Sequence, residues 1–293
     1  MDFWYDGSHA MSFYQYGTSD SPVGTLIGHT WKDWGLIPTV RPLVAPPEPK
    51  TSTIEINGAD GIIDASESLT KWPLYNNRTG QWTFYVTDYD DHSGIVLDNN
   101  DAQILDNVND PIRDTVVSSW QDMYTRLLNA IHGKTLVVVL DDDPDYYYKG
   151  KFKIAQWVSS NDGSLSGVTI SYDVFPYKLK RNNTGIYIRE ENPSIEIKGG
   201  RQPLIPYIYT RRKNSETTGN ILLEFTNPEL GIHHTGIAYG NHIQNYIRME
   251  DLGAEHNADC IVTNLSGNNV CTLTVTNIAN CEFVYLKFRV GDL

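Results

Sequence analysis

Alternation of apolar and polar residues with a period of two recurs along this chain and constrains its fold more than any other feature. Val168, Ile170, Tyr172 and Val174 alternate strictly with Thr169, Ser171 and Asp173. A strand with one buried and one wet face requires this pattern, because successive side chains leave the backbone on opposite sides. Trp82, Phe84 and Val86 alternate in the same way after the turn Asn77-Arg78-Thr79-Gly80, and Ile54 and Ile56 do so around Glu55. The run from Leu136 to Leu140 reads as a buried strand and Asp141-Asp142-Asp143-Pro144-Asp145 as a polar turn. Tyr146 to Val158 is then the return strand of a long hairpin, with Phe152 and Ile154 on one face. A helical period stands out once, where Trp120, Met123, Tyr124, Leu127, Leu128 and Ile131 recur at threes and fours before Gly133, a natural stop. Asp110 before Pro111, Ser118 and Ser119 are all suitable caps, so its start is open. The expected fold class is mainly β with one main helix.

Three segments follow from these patterns. Residues 1–50 are rich in aromatics, Gly and Pro and run into Pro46-Pro47-Glu48-Pro49, which reads as an extended arm. Residues 51–180 hold the strands and the helix, and the first domain closes near Tyr177. The stretch Lys178 to Gly185 is short and basic and suits a junction. From 185 to 293 the helical period is gone. Ile195/Ile197, Leu204 to Tyr209, Ile221 to Phe225, Tyr246 to Met249, Val270 to Val275 and Phe283 to Val290 are short β-type runs, as in an antiparallel sandwich.

The tryptophans of the first fifty residues sit in a segment too irregular to bury them unaided. Two burial surfaces are open, the chain's own first domain and a neighbouring subunit, since Trp and Tyr are enriched at interface hot spots. Under the second, Trp4, Trp31, Trp34 and Arg41 are the subunit-interface residues.

Charge excludes some partners. The chain carries 23 basic and 36 acidic residues, a net of −13, which repels a phosphate backbone and argues against sequence-specific nucleic-acid binding. Residues 182–293 hold 9 basic and 12 acidic side chains, or −3, which leaves 14 and 24, or −10, for residues 1–181. The start Met1-Asp2-Phe3-Trp4-Tyr5-Asp6 has no basic, apolar or cleavage-site character, so no secretion signal is expected. The longest apolar run, Leu136 to Leu140, is far short of the roughly 20 residues of a membrane-spanning helix. Cys260, Cys271 and Cys281 match no zinc or redox spacing and read as small buried hydrophobes.

No catalytic constellation stands out. There is no HExxH and no phosphate-binding glycine loop, and Gly163-Ser164-Leu165-Ser166-Gly167 places Leu where a nucleophilic serine would sit. Asp88/Asp90/Asp91 and Asp141/Asp142/Asp143/Asp145 lack the Gly and the terminal acid of a calcium loop and read as solvated turns. His233 and His234 are adjacent, so in a strand they point to opposite faces and chelate poorly. No cofactor, no metal and no catalytic residue is expected. A sugar-binding sandwich favours a flat aromatic ring, and after residue 157 there is no tryptophan to supply one; Tyr207, Tyr209 and Tyr239 are the substitutes.

A resemblance covers residues 30 to 178. It rests on Thr30-Trp31-Lys32-Asp33-Trp34-Gly35-Leu36-Ile37-Pro38, Arg41-Pro42, Pro46-Pro47-Glu48-Pro49-Lys50, Gly58-Ala59-Asp60-Gly61 and Asp64-Ala65-Ser66-Glu67. It continues through Tyr75-Asn76-Asn77-Arg78-Thr79-Gly80, Ile131-His132-Gly133-Lys134, the stretch from Asp141 to Gly150, and Tyr172-Asp173-Val174-Phe175-Pro176-Tyr177-Lys178. In this collinear series the chain resembles the distal tail protein of long, non-contractile-tailed bacteriophages infecting Gram-positive bacteria.

The resemblance implies a ring-forming, tail-tube-like domain at residues 51–180, in six copies around a channel. It implies a galectin-like antiparallel β-sandwich at residues 185–293. The implied partners are other copies of the chain, the tail tube protein, the tail-associated tip protein and, in some relatives, receptor-binding proteins. The implied place is the tail tip or baseplate of the virion, assembled in the host cytoplasm. Galectins bind sugar through a His, Asn and Arg set plus a tryptophan; His242, Asn245 and Arg248 have the wrong spacing, so the label refers to shape. The alternative reading is an adsorption module whose sandwich recognises cell-wall saccharide through tyrosines. A cell-wall hydrolase is a third.

Overall fold

The computed structural model describes residues 7–55, 61–67, 73–86, 120–159, 166–191, 193–203, 207–212, 221–228, 231–238 and 271–293. The chain forms two compact units, Met1–Glu48 with Tyr75–Pro176 and Pro49–Leu74 with Tyr177–Leu293. It therefore passes between them three times, after residues 48, 74 and 176.

Unit 1 is built on an antiparallel sheet. Its strands are β1 (Met11–Tyr16), β2 (Val23–His29), β3 (Leu36–Pro38), β6 (Arg78–Val86), β7 (Lys134–Leu140), β8 (Tyr146–Ser159) and β9 (Ser166–Val174). Their order is β2-β1-β7-β8-β9-β6-β3. The alternation in β9 becomes burial: Val168, Ile170, Tyr172 and Val174 are at most 5% exposed, while Asp173 lies in solvent. Leu136 to Leu140 are all buried, as an unbroken apolar run demands. The β7–β8 hairpin is in register from Lys134 opposite Phe152 to Val138 opposite Tyr148. A bulge between Ile154 and Gln156 shifts the pairing of β8 with β9. Ile154 and Trp157, three residues apart, therefore both pack on the same core.

Helix α1 (Trp120–Ile131) lays Met123, Leu127 and Ile131 on that core, beside Phe13 of β1 and Phe152 of β8. Each such buried side chain contributes roughly 1.5–3 kcal/mol. Gly133, at φ +73°, adopts the left-handed conformation that ends the helix, and its N–H bonds Phe152 O at 2.8 Å. The start of the helix falls at the edge of the described residues.

Two expectations are corrected here. The first fifty residues are not an irregular arm, because β1, β2 and β3 belong to the sheet and β1 is paired on both sides, with β2 and with β7. Their Gly and Pro residues fall mainly in connections: Gly17 N–H bonds Pro22 O across the β1–β2 turn, and Gly35, at φ +56°, closes the turn before β3. The turn at Asn77–Gly80 is likewise strand from Arg78 onward.

The segment after β3 is extended and lies along β6 without a regular ladder. Side chains bind its backbone instead, since buried peptide groups need partners. Trp82 Nε1–H donates to Leu43 O at 2.9 Å and Ala45 N–H to Tyr172 Oη at 2.9 Å. Arg78, 4% exposed, donates from Nε to Pro176 O at 2.6 Å and from Nη1 to Ala45 O at 3.4 Å, with its guanidinium 5.6 Å from the Tyr148 ring centre.

Unit 2 begins with the hairpin β4 (Thr53–Glu55) and β5 (Ile62–Asp64). Residues 51–74, read from the sequence as part of the first domain, thus belong to the range of unit 2, as does Trp72. Short β10 (Lys178–Lys180) pairs β18 (Gly291–Asp292), so strand occupies what read as a junction. The remaining strands form two sheets. One is β11 (Thr184–Ile188), β17 (Cys281–Phe288) and β13 (Tyr207–Arg212); the other is β12 (Ser194–Ile197), β16 (Cys271–Thr276), β14 (Ile221–Asn227) and β15 (Ile232–Ala238). Ile188, Val284, Leu286 and Phe288 of the first share a core with Ile197, Leu223, Phe225, Leu273 and Val275 of the second, which makes a β-sandwich. Cys271 is buried there as a small hydrophobe. Cys260 and the run Tyr246 to Met249 lie outside the described residues.

Candidate subunit interface

Of the residues singled out for an interface, Trp31 and Trp34 lie in one turn of unit 1 and Arg41 reaches a second. The first turn, between β2 and β3, is closed by helix-like bonds from Asp33 N–H to His29 O and from Gly35 N–H to Trp31 O. His29 organises it. Its Nδ1 accepts from the N–H groups of Trp31 and Lys32 at 3.2 and 3.1 Å, which leaves the ring proton on Nε2, 3.0 Å from Asp141 Oδ2. Fully buried Thr30 ties the same turn to β1, with its Oγ1 3.0 Å from Met11 N.

The second turn joins β7 to β8 and carries the run of aspartates. Asp142 accepts from His9 Nδ1 at 2.8 Å and from Arg41 Nε at 2.9 Å. Burial pushes its carboxyl up, yet the hydrogen bonds and positive charge of His9 and Arg41 prevail and hold it below the usual carboxylate range. His9 takes a left-handed backbone, φ +60°, which costs a residue bearing Cβ roughly 1–2 kcal/mol. The polar turn read from the sequence is therefore a fastener, binding the lead into β1, the turn before β3 and the segment after β3. At a partly exposed site each such ion pair is worth about 0.2–1 kcal/mol.

The structure separates the four expected interface residues. Trp34 is 4% exposed and packs in the core of its own unit, 5.9 Å from the Phe13 ring. It lies over Gly28, where an added Cβ would stand 2.4 Å from the indole. It therefore finds its burial surface within its own unit, which corrects its assignment to a subunit contact. Trp31 is half-buried, with its pyrrole edge over Gly7. The Arg41 side chain is 61% exposed and reaches Asp142 by its Nε. Trp4 lies outside the described residues. The sequence reading missed His9 and His29, whose acidic partners lie more than a hundred residues away, with no local pattern to join them.

Among the described residues no group of three or more His, Cys, Asp or Glu is placed to hold a metal ion. His233 pairs with Glu224 across β14 and β15 at 2.6 Å. His242, Asn245, Arg248, Tyr239 and Asp88/Asp90/Asp91 lie outside the described residues.

No protein-family model matches the sequence. No curated protein matches it either. Among solved structures it is similar to SPP1 Dit (gp 19.1), described as a paradigm of the hub adsorption apparatus in phages infecting Gram-positive bacteria. The TM-score is 0.55 at 12% identity, over 95% of this chain and 98% of the other. The fold is similar to that of SPP1 Dit. At 95% coverage the likeness extends over both units.

Proposed function

We propose that the chain is a structural virion protein, a ring-forming hub at the distal end of a phage tail that joins the tail tube to the tip and host-adsorption apparatus. The observation that carries this reading is the likeness to the SPP1 hub protein over nearly the whole of both chains. The sheet of unit 1 adds a physical route to self-association. Among the described strands β2 and β3 are its two edges, and Leu26 on β2 is 50% exposed. A head-to-tail contact between copies closes a ring when the rotation between them divides a full turn. Six copies are the expected number.

The interface proposed here uses Trp31 and Arg41, and Trp34 is buried within its own unit. The partners are further copies of the chain, the tail tube protein, the tail-associated tip protein and a receptor-binding protein, with assembly in the host cytoplasm. No catalysis belongs to this role. Electron microscopy of the purified protein, alone and with its tube and tip partners, tests it: six-fold annuli are expected. A strictly monomeric species under every condition overturns it.

A further inference from the structure

The face of the unit 1 sheet turned away from its core carries a basic groove in an acidic body. The range of unit 1 holds 9 basic and 20 acidic side chains, a net of −11, yet three of the nine alternate along one strand as Lys149, Lys151 and Lys153 of β8. Tyr148, Phe152 and Ile154 turn to the core, so these lysines take the other face. Lys149 is engaged: its Nζ lies 3.3 Å from the centre of the Tyr16 ring and 5.7 Å from that of Phe175. Lys151 and Lys153 are exposed and make no ion pair or hydrogen bond among the described residues. They line a groove of about 460 Å³ with Thr79, Gly133, Ser171 and Asp173. Register sets its floor, with Thr135, Lys151, Asp173 and Thr79 in one row and Lys153 opposite Ser171 beside it. Asp173 is the one carboxylate among the lining residues, and it accepts from Asn77 Nδ2 at 2.8 Å. Two ammonium groups on residues about 7 Å apart along a strand repel each other until an anion lies between them.

The far end of the same hairpin is acidic. β7 runs from Lys134, at the groove, to Leu140, at the turn Asp141–Asp145, a span of roughly 20 Å at about 3.4 Å per residue. Four carboxylates stand in that turn against one arginine and two histidines: Arg41 and His9 bind Asp142, and His29 binds Asp141. The cluster therefore stays negative whether or not the histidines are protonated. Asp145 is exposed and bonds none of the described residues. Trp31 and Arg41 flank this turn, Arg41 through Asp142 and Trp31 through the His29 ring that Asp141 holds.

A head-to-tail contact joins two different patches, so the surface with Trp31 and Arg41 requires a second, unlike surface on the next copy. We infer that the Lys151/Lys153 groove is that second surface and receives the Asp141–Asp145 turn of the neighbouring copy, with Trp31 beside the contact. Charge selects this occupant. Identical chains of net −13 repel one another, and a basic groove set against an acidic turn is where that repulsion reverses. Asp145 supplies a carboxylate that its own chain leaves unused, and the hydroxyls of Thr79 and Ser171 can donate to it beside the two ammonium groups. The inference rests on the hub reading and specifies the surfaces that its ring would join.

Two charge reversals in the full chain test it, read by sedimentation and electron microscopy, alone and with the tube and tip partners. K151E/K153E and D143K/D145K should each lose the annuli that wild type forms. An equimolar mixture of the two should regain them, because alternating copies then set opposite charges together at every contact of an even-numbered ring. Circular dichroism establishes that the variants fold. Carbodiimide coupling of isotopically labelled with unlabelled wild type needs no variant, and it should join Lys151 or Lys153 of one copy to Asp145 of another. Annuli that persist in K151E/K153E, a mixture that stays dissociated, or annuli without that coupling overturn the contact and leave the hub reading standing. Wild type that forms no annulus under any condition and gives no coupling between copies overturns both.

Discussion

The two units use the same residue class in opposite ways. In unit 1 the aromatics interlock inside: Phe13 meets Phe152 edge-on at 5.3 Å, Trp82 stacks on Phe152 at 6.2 Å, and Trp82 lies 4.4 Å from Tyr172. In unit 2 the core is mostly aliphatic, and Tyr187, Tyr209, Phe283 and Tyr285 lie on the face of the β11-β17-β13 sheet away from it, Tyr187 exposed and the others half-buried. Packing and presenting are different tasks. An aromatic ring in a closed core contributes by filling volume, and one on an open sheet contributes by what it offers a partner.

Matched substitutions sharpen this contrast. Phe152→Ala should cost about 3–5 kcal/mol of unit 1 stability, because it removes the ring on which Phe13 and Trp82 both rest. Urea unfolding followed by tryptophan fluorescence checks it, since six of the seven tryptophans lie within unit 1. Phe283→Ala, at a half-buried position of unit 2, should cost less than about 1 kcal/mol. Equal losses would erase the distinction.

The next largest effect concerns glycines beneath rings. Gly28→Ala drives a methyl into buried Trp34 and should cost about 1–3 kcal/mol, because the indole has no room to withdraw. Gly185→Ala meets a ring of comparable closeness on the surface, where Tyr285 can swing into solvent. Its stability change should stay under about 1 kcal/mol. Thermal unfolding of both variants checks the contrast.

Arg78→Met should cost about 1–3 kcal/mol, since it strips the carbonyls of Ala45 and Pro176 of their donor while keeping the volume. A change near zero in the urea midpoint would mean that desolvating the guanidinium already offsets those bonds, as its lowered pKa, caused first by burial, suggests.

The smallest effect is the pH response of Asp142. Its folded carboxyl titrates lower than in the unfolded chain, where an ordinary aspartate titrates near 3.9. Its contribution is therefore present above that value and is lost as pH falls through the folded one. Asp142→Asn should lower the urea midpoint slightly at pH 7, and the difference from wild type should close in acid. A difference that persists well below pH 3 would show that the carboxylate charge is not its source.

Legibility in the sequence followed locality. β6, β8, β9 and α1 were readable because one face of each is apolar at the right period within a single window, and β7 because its apolar run is unbroken. β1 was harder, since Tyr14 and Tyr16 interrupt the contrast between Met11/Phe13 and Ser12/Gln15. The Gly and Pro residues around it suggested irregularity where they serve turns. Contacts that span the chain left no trace: His9 with Asp142 and Tyr285 across Gly185 each depend on a fold already formed. Three tyrosines in one row emerge only from the register of β11, β17 and β13, since the spacing of 187, 209 and 285 encodes nothing.

The three passages of the backbone between the units carry a consequence for synthesis and for inheritance. On a ribosome β1 emerges early and has no β7 to pair with until residue 134 is made, so the first unit closes late and the second cannot complete before the chain ends. Recombination cannot exchange either unit by a single crossover. A pull on one unit against the other is shared by three covalent cords, where a single linker would act as a swivel.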